Sequence, residues 1–169
     1  MKEKDGDIFE SGGDVIVIPI HSSLEDDSHM VMGRGVMFQA KKHYPKLPEL
    51  FGRARRSSYN FCLGVKTEGQ LIAGVMTKNS WCDKDRSDID MIIRSVRELV
   101  ELIDSTFPGD KSITVALPRI GCGGGRLDWD LLVKPMIFDI LDDRFTVYRR
   151  LIKGGDYNVP FRFEEMSCM

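Results

Sequence analysis

The chain has 169 residues, 42% apolar and 30% charged, with a net charge of −2. That length excludes a second large domain, and the composition excludes disordered, fibrous and membrane-spanning classes. A chain of this size buries about 70% of its unfolded surface, so it needs neither disulfides nor a structural metal to fold.

Cys62, Cys82, Cys122 and Cys168 are widely spaced, with no CxxC pair and no zinc-ligand spacing, and read as reduced thiols of a cytoplasmic protein. No apolar run approaches the roughly 20 residues of a membrane span, and the N-terminal segment lacks the apolar core of a signal peptide. The expectation is a monomer with no membrane contact, no metal and no cofactor. Charge is uneven along the chain. Residues 1–30 carry two lysines against eight acids, whereas residues 41–56 carry six basic residues against Glu49. The basic segment reads either as a solvated helix face followed by a loop, or as a rim that meets a phosphate-bearing partner such as nucleic acid.

Strands and helices alternate along the chain. The β-branched run from Asp14 to Ile20 predicts a strand covered on both faces. Gly35 to Tyr44 predicts a helix closed by Pro45. Tyr59–Lys66 and Leu71–Lys78, joined by Thr-Glu-Gly, predict a hairpin. Asp88–Thr106 places Ile89, Ile92, Ile93, Val96, Leu99, Val100 and Ile103 on one helical stripe, with Ser87 and Asp90 as a capping-box start. Ser112–Ile120 predicts a strand, about Trp129–Leu141 a helix with Pro135 near its first turn or at a kink, and Arg144–Arg149 a last strand. This order predicts an α/β fold with a mixed, mainly parallel sheet and helices on both faces. Residues 151–169 show no periodicity.

Two glycine-rich loops carry the chemistry. Met32-Gly-Arg-Gly-Val36 opens a helix, and Gly121-Cys-Gly-Gly-Gly125 follows a strand that should be central in the sheet. Glycines there either free backbone N–H groups for a close-approaching anion or only make tight turns. The spacings match neither a P-loop nor a Rossmann turn.

Gly6-Asp-Ile8, the run at 15–20, Met32 to Pro45, Thr77-Lys78, Leu117-Pro-Arg-Ile-Gly-Cys-Gly123, Arg126-Leu-Asp-Trp129 and Phe145-Thr-Val-Tyr148 occur in the order found in macrodomains. In this series the chain resembles that family over residues 6 to about 148. It is most similar to the group holding the terminal ADP-ribose protein glycohydrolase and the antitoxin macrodomains that reverse DNA ADP-ribosylation. The resemblance implies a single three-layer α/β/α macrodomain over residues 1–150, a C-terminal extension over 151–169, and ADP-ribose as ligand.

The resemblance also implies roles. Asp7 would accept from the adenine amino group beside Ile8, a task that suits an ionised, acceptor-only carboxylate, although a capping Asp is the simpler reading. Gly33, Gly35 and Val36 would lie near the distal ribose and phosphate. Gly121, Cys122, Gly123, Gly124, Gly125 and Arg126 would wrap the diphosphate, and Tyr148 would flank the adenine or belong to the core. Lys78 would be the catalytic lysine, a nucleophile at the anomeric carbon of the distal ribose.

Three departures stand out. The loop Asp that resolves the lysine adduct in the protein-directed glycohydrolase is matched by Gly125, with Asp128 either a substitute or a helix cap. No Asn occurs in residues 1–59, so the segment where the family's Asn contacts the distal ribose reads Ile20-His-Ser-Ser-Leu24. Residues 25–31 look like an insertion, expected to point outward because its acids would repel a diphosphate, and His21 or His29 could take the ribose contact or act as an acid. The expected function is removal of ADP-ribose from a modified nucleic acid or protein. The alternatives are a non-catalytic ADP-ribose reader and a phosphatase for ADP-ribose 1″-phosphate.

Overall fold

The computed structural model describes residues 1–80 and 86–150; the proposed extension at 151–169, with Cys82 and Cys168, lies outside them. The strands are β1 (Lys2–Asp5), β2 (Val15–His21), β3 (Leu24–Glu25), β4 (His29–Met30), β5 (Cys62–Thr67), β6 (Gln70–Lys78), β7 (Val115–Pro118) and β8 (Phe145–Arg149). The helices are α1 (Gly35–His43), α2 (Leu47–Ser57), α3 (Ile89–Thr106) and α4 (Lys134–Ile137). Six strands form one sheet in the order β1-β8-β7-β2-β6-β5, all parallel except β5, which runs antiparallel to β6. The fold is three-layered. Val15 and Val17 join Val96, Leu99 and Ile103 of α3 on one face, while Ile16, Ile18 and Ile20 join Ala40 of α1 and Leu47 and Phe51 of α2 on the other.

The β2–β7 ladder is short. It pairs only Val15 with Val115 and Ile16 with Ala116, so the two strands part toward their carboxyl ends. The lost ladder makes Pro19 tolerable in an inner strand, because no partner on the β7 side needs its missing N–H. Chain order also reverses at this pair, with β6 on one side of β2 and β7 on the other. In open α/β sheets that reversal is where ligands enter.

Several predicted elements change in detail. The hairpin turns at Glu68 and Gly69, both at positive φ (52° and 81°), as a two-residue hairpin turn needs. Asp88, not Ser87, caps α3: its Oδ1 accepts from the N–H groups of Asp90 (2.9 Å) and Met91 (3.2 Å). The predicted helix over 129–141 is broken. Trp129–Val133 is a wide π-type turn capped by Asp128, whose Oδ1 accepts from the Leu131 N–H at 2.8 Å. Only Lys134–Ile137 is α-helical, because Pro135 has no N–H to give the carbonyl of Leu131 and the helix restarts there.

The β3–β4 pair, helix α2 and strand β1 have no counterpart in the sequence reading. Helix α2 occupies much of the basic segment, with Leu47 and Phe51 fully buried on its inner stripe. Strand β1 is exposed at all four residues. It is held by its ladder to β8, by the Asp5–Arg149 ion pair (2.7 Å) and by Glu3, which accepts from Trp129 Nε1 (2.8 Å) and Lys134 Nζ (2.5 Å). The Lys134 hydrogen bond and its charge hold the Glu3 carboxyl below the usual carboxylate range.

Candidate functional site

The carboxyl ends of β2, β6, β7 and β8 gather most of the residues singled out above. At the end of β6 the ladder to β2 slips by one residue, so that Ile20 faces Met76 but His21 faces Lys78. A bulge of this kind re-aims the side chains beyond it. Two contacts from α3 fix this end: Ser95 Oγ donates to the Met76 carbonyl (2.8 Å) and the Asp88 N–H donates to that of Thr77 (2.8 Å). Lys78 is half-buried, and His21 is only 6% exposed. Burial, together with the neighbouring Lys78 charge, pushes the His21 pKa down to about 4, so the ring is neutral at pH 7. His29 is exposed at the β3–β4 hairpin, with Nδ1 2.7 Å from Ser28 Oγ. Glu25, Asp26 and Asp27 at the hairpin tip are also exposed.

The loop after β7 divides into framework and opening. Gly121, at φ +75°, and Gly125 are framework, since a Cβ on Gly121 would meet Ile92 Cδ1 at 2.7 Å and one on Gly125 would meet Ser87 Oγ at 2.0 Å. The Ser87 N–H donates to the Gly125 carbonyl (3.0 Å), which ties this loop to the start of α3. Gly123 and Gly124 are exposed, and a Cβ on either would meet nothing within 4 Å. The N–H groups of Cys122, Arg126 and Leu127 close the turn onto the carbonyls of Arg119, Gly123 and Gly121, whereas those of Gly123, Gly124 and Gly125 have no acceptor among the described residues. Successive free N–H groups in a turn form an anion nest. Arg126 is exposed at φ +58°, rare for a residue with a Cβ. Cys122 is half-buried, its thiol donates to the Ile120 carbonyl (3.3 Å), and burial raises its pKa to about 11, which excludes it as a thiolate nucleophile near neutrality.

The other glycine loop matches this openness. Gly33 and Gly35 are exposed with nothing within 4 Å of an added Cβ, and no side chain caps the N-terminus of α1. Such a terminus attracts an anion through its free donors and dipole. Val36 is half-buried against the core.

Asp7 follows Gly6, which packs against Tyr148 at the end of β8. The Tyr148 ring lies 3.5 Å from where a Cβ on Gly6 would stand, and Gly6 adopts φ +149°. Asp7 caps the short turn Ile8–Glu10, with Oδ1 accepting from the Phe9 N–H (3.0 Å). The Ile8 side chain is taken up by the core at 4% exposure, so its N–H is what remains to meet a ligand. A separate cavity of about 290 Å³, lined by Glu3, Lys4, Asp5, Arg119 and Arg149, lies at the ends of β1 and β8 and includes neither glycine loop nor Lys78. Among the described residues, no group of three or more His, Cys, Asp or Glu side chains could hold a metal ion.

Comparison with known proteins fits this arrangement. No protein-family model matches the chain. It is 28% identical over 142 residues to the ADP-ribose glycohydrolase OARD1 of Bos taurus, covering 80% of this chain and 87% of the relative, and 27% identical to the human protein over the same length. Among solved structures, the macrodomain of Mycobacterium tuberculosis DarG superposes with a TM-score of 0.69 at 22% identity, over 87% of this chain and 95% of that one. The chain has the macrodomain fold. Thermosipho africanus DarTG in complex with ADP-ribose superposes with a TM-score of 0.71 at 22% identity, over 89% of this chain and 41% of that one.

Within the macrodomain fold, Gly125 acquires a physical meaning. An Asp at this position would drive its Cβ into Ser87 Oγ and to 2.5 Å from the Gly121 carbonyl, so the loop has closed over the place where a carboxylate would stand. Asp128, three residues on, caps the following turn through Oδ1. Sequence reasoning missed the Asp88 and Ser95 contacts to β6 and the His21–Lys78 register. A helix cap leaves a local signature, but a one-residue bulge does not.

Proposed function

We propose that this macrodomain binds ADP-ribose in the crevice between β2 and β7 and hydrolyses its bond to a modified macromolecule. The observation that carries the reading is that the open loop after β7 is tied through Ser87 and Asp88 to the strand end that holds Lys78. The names of the OARD1 relatives, with 87% of the relative covered, support the same activity. Asp7, Ile8 and Tyr148 hold the adenine; Gly33, Gly35 and Val36 hold the distal ribose and its phosphate. The segment from Gly121 to Arg126 wraps the diphosphate.

In the proposed reaction the neutral amine of Lys78 attacks C1″ of the distal ribose. The Nζ–C1″ bond forms as the bond from C1″ to the macromolecule breaks, and the leaving group takes the proton lost from the amine. Water then displaces Nζ, which releases ADP-ribose and restores the lysine. The loops act by holding C1″ in reach, with binding energy from the adenine and diphosphate spent on orientation.

A substrate macromolecule would lie along the basic segment 41–56. Lys41, Lys42, Lys46, Arg53 and Arg56 are exposed there, and Lys42 Nζ sits 4.6 Å from the ring centre of Phe38. Nucleic acid suits that surface. The protein works as a cytoplasmic monomer in this reading; among the described residues no helix is long and apolar enough to cross a membrane. The closed loop at Gly125 favours a second reading, a reader that binds ADP-ribose without turnover. Incubation with ADP-ribosylated thymidine DNA, Glu-linked ADP-ribosyl protein and ADP-ribose 1″-phosphate in parallel decides between them. Release from DNA or protein supports the hydrolase, release from the phosphate alone a phosphatase, and binding without release the reader.

A further inference from the structure

The segment from Asp128 to Arg144 is apolar on two sides but packed on one. Its inner side takes Trp129, Val133, Ile137 and Leu141, spaced by four and buried in one cluster with Leu117 and Val147 of the sheet. A helical stripe of that kind ordinarily has a polar outer side. Here the outer side carries Leu131, Leu132, Met136 and Phe138, with Leu131 83% and Phe138 52% exposed. These are four of the six large apolar side chains exposed among the described residues, the others being Phe38 and Tyr59. They fall within roughly 10 Å of helix axis, so they form one patch. Charge around the patch has mainly one sign. The exposed charged residues of the segment are Asp128, Asp130, Asp139, Asp142 and Asp143. Its two cations are spent inside the fold: Lys134 Nζ donates to Glu3, and the buried Arg144 pairs with Asp104 and Asp142, both at 2.7 Å. Helix α3, packed beside α4, adds exposed Arg97 against Glu101 and Asp104.

We propose that this outer side docks another protein by a basic amphipathic helix, whose large apolar side chains cover the patch while its lysines or arginines meet the aspartates. An apolar patch with a polar rim marks a protein interface. The sign of the rim selects the occupant. It repels nucleic acid and an anionic lipid surface. A second copy meeting patch to patch would set aspartates against aspartates, because such a contact is self-complementary. The chain's own residues 151–169 bring two bases against three acids, and so no cationic excess. The patch belongs to the α3 side of the sheet and helices α1 and α2 to the other, so a docked partner leaves the basic segment 41–56 uncovered.

The test uses the full chain and three fluorescent helical peptides of about 18 residues, or five turns. The first has leucines on one face and lysines on the other, the second has glutamates for the lysines, and the third has glutamines for the leucines. In anisotropy titrations the first should bind at least about tenfold more tightly than either of the others. The double variant Leu131→Ser/Phe138→Ser should weaken that binding at least about tenfold. Asp130→Asn/Asp139→Asn should weaken it less and reduce its salt dependence, because the apolar contacts persist while the rim charge is gone. All four positions are exposed, so both variants should melt as the wild type does. Equal binding of the three peptides, or binding of the first left unchanged by both double variants, would overturn the proposal. Two further outcomes would overturn it by giving the patch to another occupant. A wild-type dimer in sedimentation that Leu131→Ser/Phe138→Ser dissolves would give it to a second copy. Faster tryptic cleavage after Lys153 or Arg162 in that variant would give it to the chain's own C-terminal residues.

Discussion

His21 and Lys78 stand opposite each other across a one-residue slip in the β2–β6 ladder, so a buried neutral imidazole and a half-buried lysine share the end of the central strands. This pairing has a measurable consequence for stability. A histidine whose folded pKa lies near 4, against about 6.5 when unfolded, binds its proton first in the unfolded state. Its contribution to stability is therefore complete above pH 6.5 and is lost as pH falls from 6.5 toward 4. Each tenfold difference in proton affinity between the two states is worth about 1.4 kcal/mol, so the loss is on the order of 3 kcal/mol. Urea denaturation at pH 7, 5.5 and 4.5 should show this decline in the wild type and a flatter profile in His21→Asn. Parallel profiles would contradict it.

The glycines of the second loop should separate by location. Gly123→Val and Gly124→Val place a side chain in open space and should leave the melting temperature nearly unchanged while abolishing measurable ADP-ribose binding. Gly125→Asp should cost about 1–3 kcal/mol of stability through overpacking against Ser87 and the Gly121 carbonyl. Differential scanning calorimetry with and without ADP-ribose reads both effects. A Gly125→Asp protein as stable as the wild type would show that the loop can reopen.

Asp7 holds two roles that a choice of substitution can divide. Its Oδ1 caps the turn at Phe9, and in the proposed complex the carboxylate accepts from adenine. Asp7→Ala should weaken ADP-ribose binding by about 1.5–3 kcal/mol and lower stability by about 1 kcal/mol through the lost cap. Asp7→Ser keeps a capping oxygen and should lose affinity with little change in stability. Unchanged calorimetric affinity in both variants would remove Asp7 from the adenine site.

The cap of α3 gives a further check. Asp88→Ala should cost about 1 kcal/mol, because two first-turn N–H groups lose their acceptor. It should also leave the Asp88 N–H free to keep its bond to Thr77. A cost from Ser87→Ala larger than that from Asp88→Ala would return the cap to Ser87.

Legibility in the sequence followed the strength of the local signal. The run at Val15–Ile20 and the stripe on α3 were plain because burial imposes a period on every residue. Strand β1 was invisible because Lys2–Asp5 buries nothing, and only its ladder to β8 makes it a strand. Helix α2 carries a readable stripe at Leu47, Leu50, Phe51 and Ala54, but Pro45 and Pro48 obscure its start and its charges suggest a solvated loop. At the site, the glycine loops were legible as loops. Which glycines are open and which are framework depends on Ile92 and Ser87, which approach from α3 and the segment before it.

The central claim is that Lys78 acts on the reacting carbon and does not merely bind an anion. Interactions made mainly in the transition state change turnover more than affinity. The direct measurement is single-turnover release of ADP-ribose by wild type and Lys78→Ala from the substrate that the wild type cleaves, alongside calorimetric titration of both proteins with ADP-ribose. Release should slow by at least about a hundredfold in Lys78→Ala, while affinity for ADP-ribose changes by less than about tenfold. Equal release rates in the two proteins would contradict the account.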